Sequence, residues 1–163
     1  MIMSKGFTLL ETMVAISILA LALAGVLSLA SLGVRSSSGA ANQIRAFFLA
    51  SEAVEYVRNK RDSNVMAGAD WLAGLGGCES GCYIDAYNDT ITTCVGGSCP
   101  KIKFDPETNI FGYLSGSETV FTREVAITQV VSYETKLTSK ISWMQGGISR
   151  EFVLEERLFN LSF

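Results

Sequence analysis

Lys5-Gly6-Phe7-Thr8-Leu9-Leu10-Glu11 opens the apolar run that decides how the rest of the chain must fold. Between Glu11 and Arg35 lie 23 consecutive uncharged residues, Thr12 to Val34. Rising ~1.5 Å per helical residue, this run covers the ~30 Å hydrocarbon core of a bilayer. Glu11 stands at its entrance. A carboxylate at the edge of a membrane span is costly unless it is neutralised or meets a cation.

Outward from this run, the bulk numbers bound what remains. The 163 residues leave room for one modest domain beside the helix. Hydrophobic residues make up 48% and the mean hydropathy is +0.31, with the apolar weight concentrated in the first 34 positions. Net charge is -3, so a basic footprint for nucleic acid is absent and DNA is not an expected partner. The chain has no histidine, the commonest general base and metal ligand. No nucleophile–base pairing or phosphate loop is visible, so neither an enzyme nor a cofactor is expected. All four cysteines fall between Cys78 and Cys99, an even set that suits an oxidising exterior.

A secretory signal has a basic start, a short apolar core and a small-residue cleavage site behind it. Here Lys5 is the one basic residue before the run, the run is too long for such a core, and no such site follows. An uncleaved single-span anchor carrying an envelope ligand-binding domain is one reading of that pattern. Met1 to Thr12, however, resembles the class III leader of type IV pilins and type II secretion pseudopilins, and Lys5-Gly6-Phe7-Thr8-Leu9-x-Glu11 carries the resemblance. It implies that prepilin peptidase, a membrane aspartyl peptidase, cuts between Gly6 and Phe7 on the cytoplasmic side and methylates the new amine. Glu11 then becomes the fifth mature residue. Cleavage leaves a cation at Phe7 about one helical turn from Glu11, and in the family this glutamate meets the amine of a neighbouring subunit.

The resemblance divides the chain into a leader at 1–6, a membrane or filament-core helix half at 7–34, and an extracytoplasmic globular domain at 35–163. Its implied partners are prepilin peptidase, other pilin subunits, an inner-membrane assembly platform and, before assembly, membrane lipid. The function it implies is a minor pilin or pilin-like subunit of a type IV filament, at the cell surface or in the periplasm. The alternative within the family is a pseudopilin of type II secretion or DNA uptake. Glu52 to Asn64 and Glu155 to Leu161 resemble stretches of type IV pilus modification proteins.

Small residues at Ala20, Ala22, Ala24, Gly25, Ser28 and Ala30 let neighbouring helices approach closely. Ser28 stands where pilins often carry proline, which puts a kink there in doubt, although Gly25 and Gly33 weaken the helix locally. Beyond a Ser/Gly/Ala-rich neck at 35–42, Ile44, Phe47, Ala50, Val54 and Val57 recur at three- and four-residue steps, with Glu52, Glu55 and Arg58 as the wet side. One helix from Thr8 to Arg61 is expected, its amphipathic half at 40–61. Asp62-Ser63-Asn64 ends it, and Arg58, Lys60 and Arg61 complement its C-terminal dipole.

In the region 65–117, Trp71, Leu72 and Leu75 are expected to tuck a short turn onto the core. Tyr83 to Ala86 and Thr90 to Thr93 read as a hairpin about Asn88 within the cysteine region 78–99. Folded there, Cys82 comes opposite Cys94 and Cys78 near Cys99, a nested pair of disulfides. Local bridges 78–82 and 94–99 are the alternative, with a four-cysteine zinc site behind them. Asp85, Asn88 and Asp89 lack a calcium-loop pattern and read as a solvated turn. Antiparallel strands fill 121–159: Phe121 to Val131, Lys136 to Trp143 and Ile148 to Phe159. Phe121, Val125, Ile127 and Val131 share one face, as do Leu137, Ile141 and Trp143. The fold class is α+β and pilin-like, with a long N-terminal helix on a C-terminal antiparallel sheet.

Overall fold

The computed structural model describes Gly6 and Thr8 to Asn160. Two compact units make up the chain, Met1–Ala41 and Asn42–Phe163. Helix α1 (Leu9–Met66) contributes to both. No break falls at Gly25, Gly33 or the serine-rich segment 35–42, so the neck is helical.

In the first unit, α1 exposes Leu, Ile and Val side chains on every side. Its most apolar 18-residue stretch has a mean hydropathy of 2.5, and none of it is buried. Helices apolar all round are stable only inside lipid or a bundle of their like. The hydroxyls within the run bond to the helix itself. Thr12 Oγ1, Ser17 Oγ and Ser31 Oγ each donate to a backbone carbonyl three or four residues earlier, at 2.8 Å. Internal satisfaction of this kind lets polar side chains sit in hydrocarbon.

In the second unit, α1 packs on a seven-stranded antiparallel sheet. Its strands are β1 (Cys82–Asp85), β2 (Thr90–Thr93), β3 (Lys101–Asp105), β4 (Ile110–Gly112), β5 (Ser117–Val131), β6 (Glu134–Gln145) and β7 (Ile148–Phe159). The last three form the expected meander. β5 is the hub. Pairing with β6 occupies one edge, so β3 and β1 share the other, with β4 and β2 beyond them. β3 and β4 lie in the region 65–117, where no strand is expected beyond the cysteine hairpin, and they complete the sheet on that side.

The helix buries Ala46, Leu49, Ala50, Ala53, Val54 and Val57. This stripe is rotated from the expected one, because Ile44 and Phe47 are 58% and 45% exposed. Alanines explain the shift: they let the backbone come close to the sheet, whereas the larger Ile44 and Phe47 stand at the margin. One core cluster sets Leu49 and Ala50 against Phe121, Ile141 and Trp143, and the other sets Val54 and Val57 against Val125, Ile127 and Leu137. Burying each large aliphatic side chain stabilises the fold by ~1.5–3 kcal/mol. Val131 does not share the face of Phe121, since a register shift between Gln129 and Val131 leaves it exposed.

The helix also runs one turn past its expected end. Ala69 N–H donates to Asn64 O and Gly68 N–H to Val65 O, with Gly68 at φ 67°. These bonds make a glycine-terminated C-cap, so the stop is Gly68 rather than Asp62-Ser63-Asn64. Asn64 is inside the helix and reaches out to hold the next loop, donating to Trp71 O and Ala73 O. Trp71 and Leu75 are buried as expected.

Candidate assembly site

Thr8 is the first residue of the apolar helix to do recognisable work. Its Oγ1 accepts the Glu11 N–H at 3.3 Å, and its carbonyl accepts Thr12 N–H at 3.2 Å. A Thr-x-x-Glu start is a capping-box sequence, which fixes where the helix begins and places the carboxylate in its first turn. Negative charge is favoured there by the helix dipole. Glu11 is exposed, as are the residues around it, and Gly6 has open space about its Cα. Phe7 and Met1 to Lys5 lie outside the described residues. The arrangement is therefore an exposed carboxylate in the first turn of a helix whose apolar surface is left uncovered.

Residues 1–27 match the family model described as the prokaryotic N-terminal methylation motif. The N-terminus is a type IV pilin-like class III leader. That motif supports a leader of the kind prepilin peptidase processes, and it runs into a helix long and apolar enough to cross a membrane. No curated protein and no solved structure gives a significant match to the chain.

The pilin-like globular unit departs from the sequence reading at its cysteines. The bridges are Cys78–Cys82 and Cys94–Cys99, with Cα separations of 4.6 and 4.7 Å, so the nested pairing is corrected to the local one. Register is the reason. Cys82 pairs with Thr93, and Cys94 N–H donates to Gly81 O, one position off the alignment expected from the turn. A one-residue slip sends side chains to opposite faces, which separates Cys82 from Cys94. Cys78 and Cys82 are both fully buried, and their bridge ties a short 3-10 turn (Gly76–Cys78) to β1. Among the described residues no group of three His, Cys, Asp or Glu is placed to hold a metal.

Asp85 is not part of a solvated turn. It is buried, and its carboxylate accepts the Asn88 backbone and side-chain N–H groups and Tyr113 N–H. The supposed wet side of α1 is also engaged. Arg58 makes a two-pronged ion pair with Glu156 on β7, both contacts at 2.6 Å, and the pairing raises its pKa. Lys60 and Arg61 lie 3.9 and 2.7 Å from Asp89 and Asp62. The three bases are thus paired to carboxylates before the last turn, rather than serving the helix dipole.

Arg123 is the residue that the sequence pattern passed over. It sits on β5 between Phe121 and Val125, on the same face as both, and is 1% exposed. Its Nη1 donates to Leu49 O at 3.0 Å and to Glu52 Oε2 at 2.6 Å, and its Nη2 donates to Ile84 O. One guanidinium therefore ties the helix, β5 and β1 together, with the Tyr113 ring 5.9 Å away. Period-two alternation from Phe121 already puts position 123 inside. Glu52 is the complementary charge on the helix.

Proposed function

We propose that this chain is a structural subunit, a minor pilin or related pilin-like protein, of a type IV pilus-type filament. Prepilin peptidase removes residues 1–6 and methylates the amine of Phe7. An assembly platform in the inner membrane then moves the subunit from lipid into the filament, where the helix packs against those of other subunits. The observation that carries this reading is a class III leader running directly into an apolar helix that its own chain leaves bare. Such a surface is stable in lipid and equally stable among identical helices, so transfer between the two costs little hydrophobic free energy.

Glu11 sets the register of an incoming subunit. The Thr8 cap on its backbone N–H places Glu11 in the first turn of the helix, and a neighbour's methylated Phe7 amine supplies the cation for its carboxylate. Both charges lose their cost in apolar surroundings only when paired, so a subunit halted at any other height leaves them unmatched. The globular unit faces the exterior, where its two disulfides persist.

Glu11→Ala tests this mechanism in cells that assemble the filament. Membrane insertion and leader removal are expected to be normal, while the amount of subunit in sheared filaments falls at least ~10-fold, the loss of one desolvated charge pair. Unchanged incorporation would refute the pairing.

A further inference from the structure

Within the globular unit, α1, β3, β4 and β5 border an open groove of about 520 Å³. Its volume lies in the range of small-molecule sites, ~300–1,000 Å³. Phe104 and Phe111 form one wall, their ring centroids 4.9 Å apart, and Phe121 lies against them as a buried floor. Arg45 and Asn42 reach the groove from α1. Thr119 also lines it, but its hydroxyl is committed, donating to Ile102 O and accepting Phe121 N–H.

Arg45 is the decisive group. Of the other arginines of this unit, Arg58, Arg61, Arg123 and Arg157 are matched to carboxylates, and Arg150 on β7 is not among the residues that line the groove. Among the described residues Arg45 has no acidic or carbonyl partner. A guanidinium at the mouth of an aromatic groove selects a flat apolar body with one anionic group, because it binds carboxylate as a two-pronged donor and stacks on rings. No carboxylate lines the groove, so a cationic ligand has no counter-charge there. A single cation is too few for a polyphosphate or a nucleic acid. The uncommitted polar groups, Asn42 and Arg45, are too few to satisfy a sugar.

We propose that this groove binds a small aromatic monocarboxylate, its ring against Phe104 and Phe111 and its carboxylate on Arg45. The Asn42 amide supplies a second donor. This site is independent of the filament reading and stands or falls separately from it.

The probe is 2-naphthoate, added to the full chain in phosphatidylcholine nanodiscs and followed by saturation-transfer NMR, with empty nanodiscs as background. Trp143 packs on Phe121 at 5.8 Å, so its emission should change with the same concentration dependence. Arg45→Gln, at an exposed position, is expected to weaken binding by about 5- to 10-fold, the worth of a charge-assisted hydrogen bond discounted for solvent. Arg45→Lys should recover part of that loss, and 2-naphthalenemethanol should bind the unaltered chain as weakly as naphthoate binds the Gln variant. Equal binding to Arg45→Gln, equal binding of the alcohol, or no transfer above empty nanodiscs would overturn the proposal.

Discussion

Replacing Arg123 by methionine should show how much of the globular unit hangs on one buried cation. Methionine keeps most of the side-chain volume, so the change removes hydrogen bonds without opening a large cavity. Two backbone carbonyls, Leu49 O on the helix and Ile84 O on β1, lose a charged donor worth ~1.5–3 kcal/mol each. Glu52 loses its partner as well, but its side chain is 39% exposed, so water takes over at a cost under ~1 kcal/mol. Relief from desolvating a guanidinium offsets part of the total, and Nε already lacks a partner among the described residues. The net expected loss is about 3 kcal/mol. Trp71 and Trp143 are both buried in this unit, so fluorescence during urea titration of the full chain follows its unfolding. With a slope of ~1.5 kcal/mol per molar, the midpoint should fall by about 2 M. Glu52→Gln, which keeps an acceptor for Arg123, should move it by less than ~0.7 M. A midpoint within ~0.3 M of the unaltered chain for Arg123→Met would refute the assignment of Arg123 as the tie between the helix and the sheet.

Tyr56 donates to Asp89 at 2.6 Å, and burial first, then Asp89, pushes its pKa up to about 12. Because the folded value is raised, its stabilisation is complete below the ordinary tyrosine value of ~10 and is lost as pH climbs from there through about 12. Tyr56→Phe should flatten that part of the alkaline melting profile; an unchanged slope would remove Tyr56 as its source. Opening either disulfide by a Cys→Ser pair should cost about 2 kcal/mol, from closure of a loop of roughly five residues. The Cys78/Cys82 pair should cost more, since it buries two hydroxyls in the core, and a peptide map without reductant should show no 78–99 or 82–94 linkage.

The long helix, the meander and the fold class were legible because they rest on strong periodic signals. The 23-residue uncharged run fixes a long apolar helix, and alternation over Leu137, Ile141 and Trp143 fixes a half-buried strand. Patterns of this kind average over many residues and survive a misplaced one. The rotated helix stripe, by contrast, turned on Ala46 and Ala53, whose small side chains carry little hydrophobic signal but permit the closest packing. The cysteine pairing depended on one residue of hairpin register, set by a four-residue turn with Asp89 at φ 50°. Local sequence does not weigh that choice. β3 and β4 escaped notice because Lys101 to Asp105 and Ile110 to Gly112 are short and joined by a turn, and their pairing is specified mainly by the long edge of β5.

At the head of the chain, the leader motif supplied the chemistry that periodicity alone cannot, while the Thr8 cap on the Glu11 N–H came from the structure. Arg123 was readable only from its parity with Phe121 and Val125, which a hydrophobic pattern discards. The globular network it anchors needed the structure.

The most direct measurement is the mass of the N-terminal peptide after the chain is co-expressed with a prepilin peptidase. Processing predicts a peptide that begins at Phe7 and carries one methyl group on its amine. A chain still beginning at Met1, with an active peptidase present, would contradict the leader and with it the filament subunit.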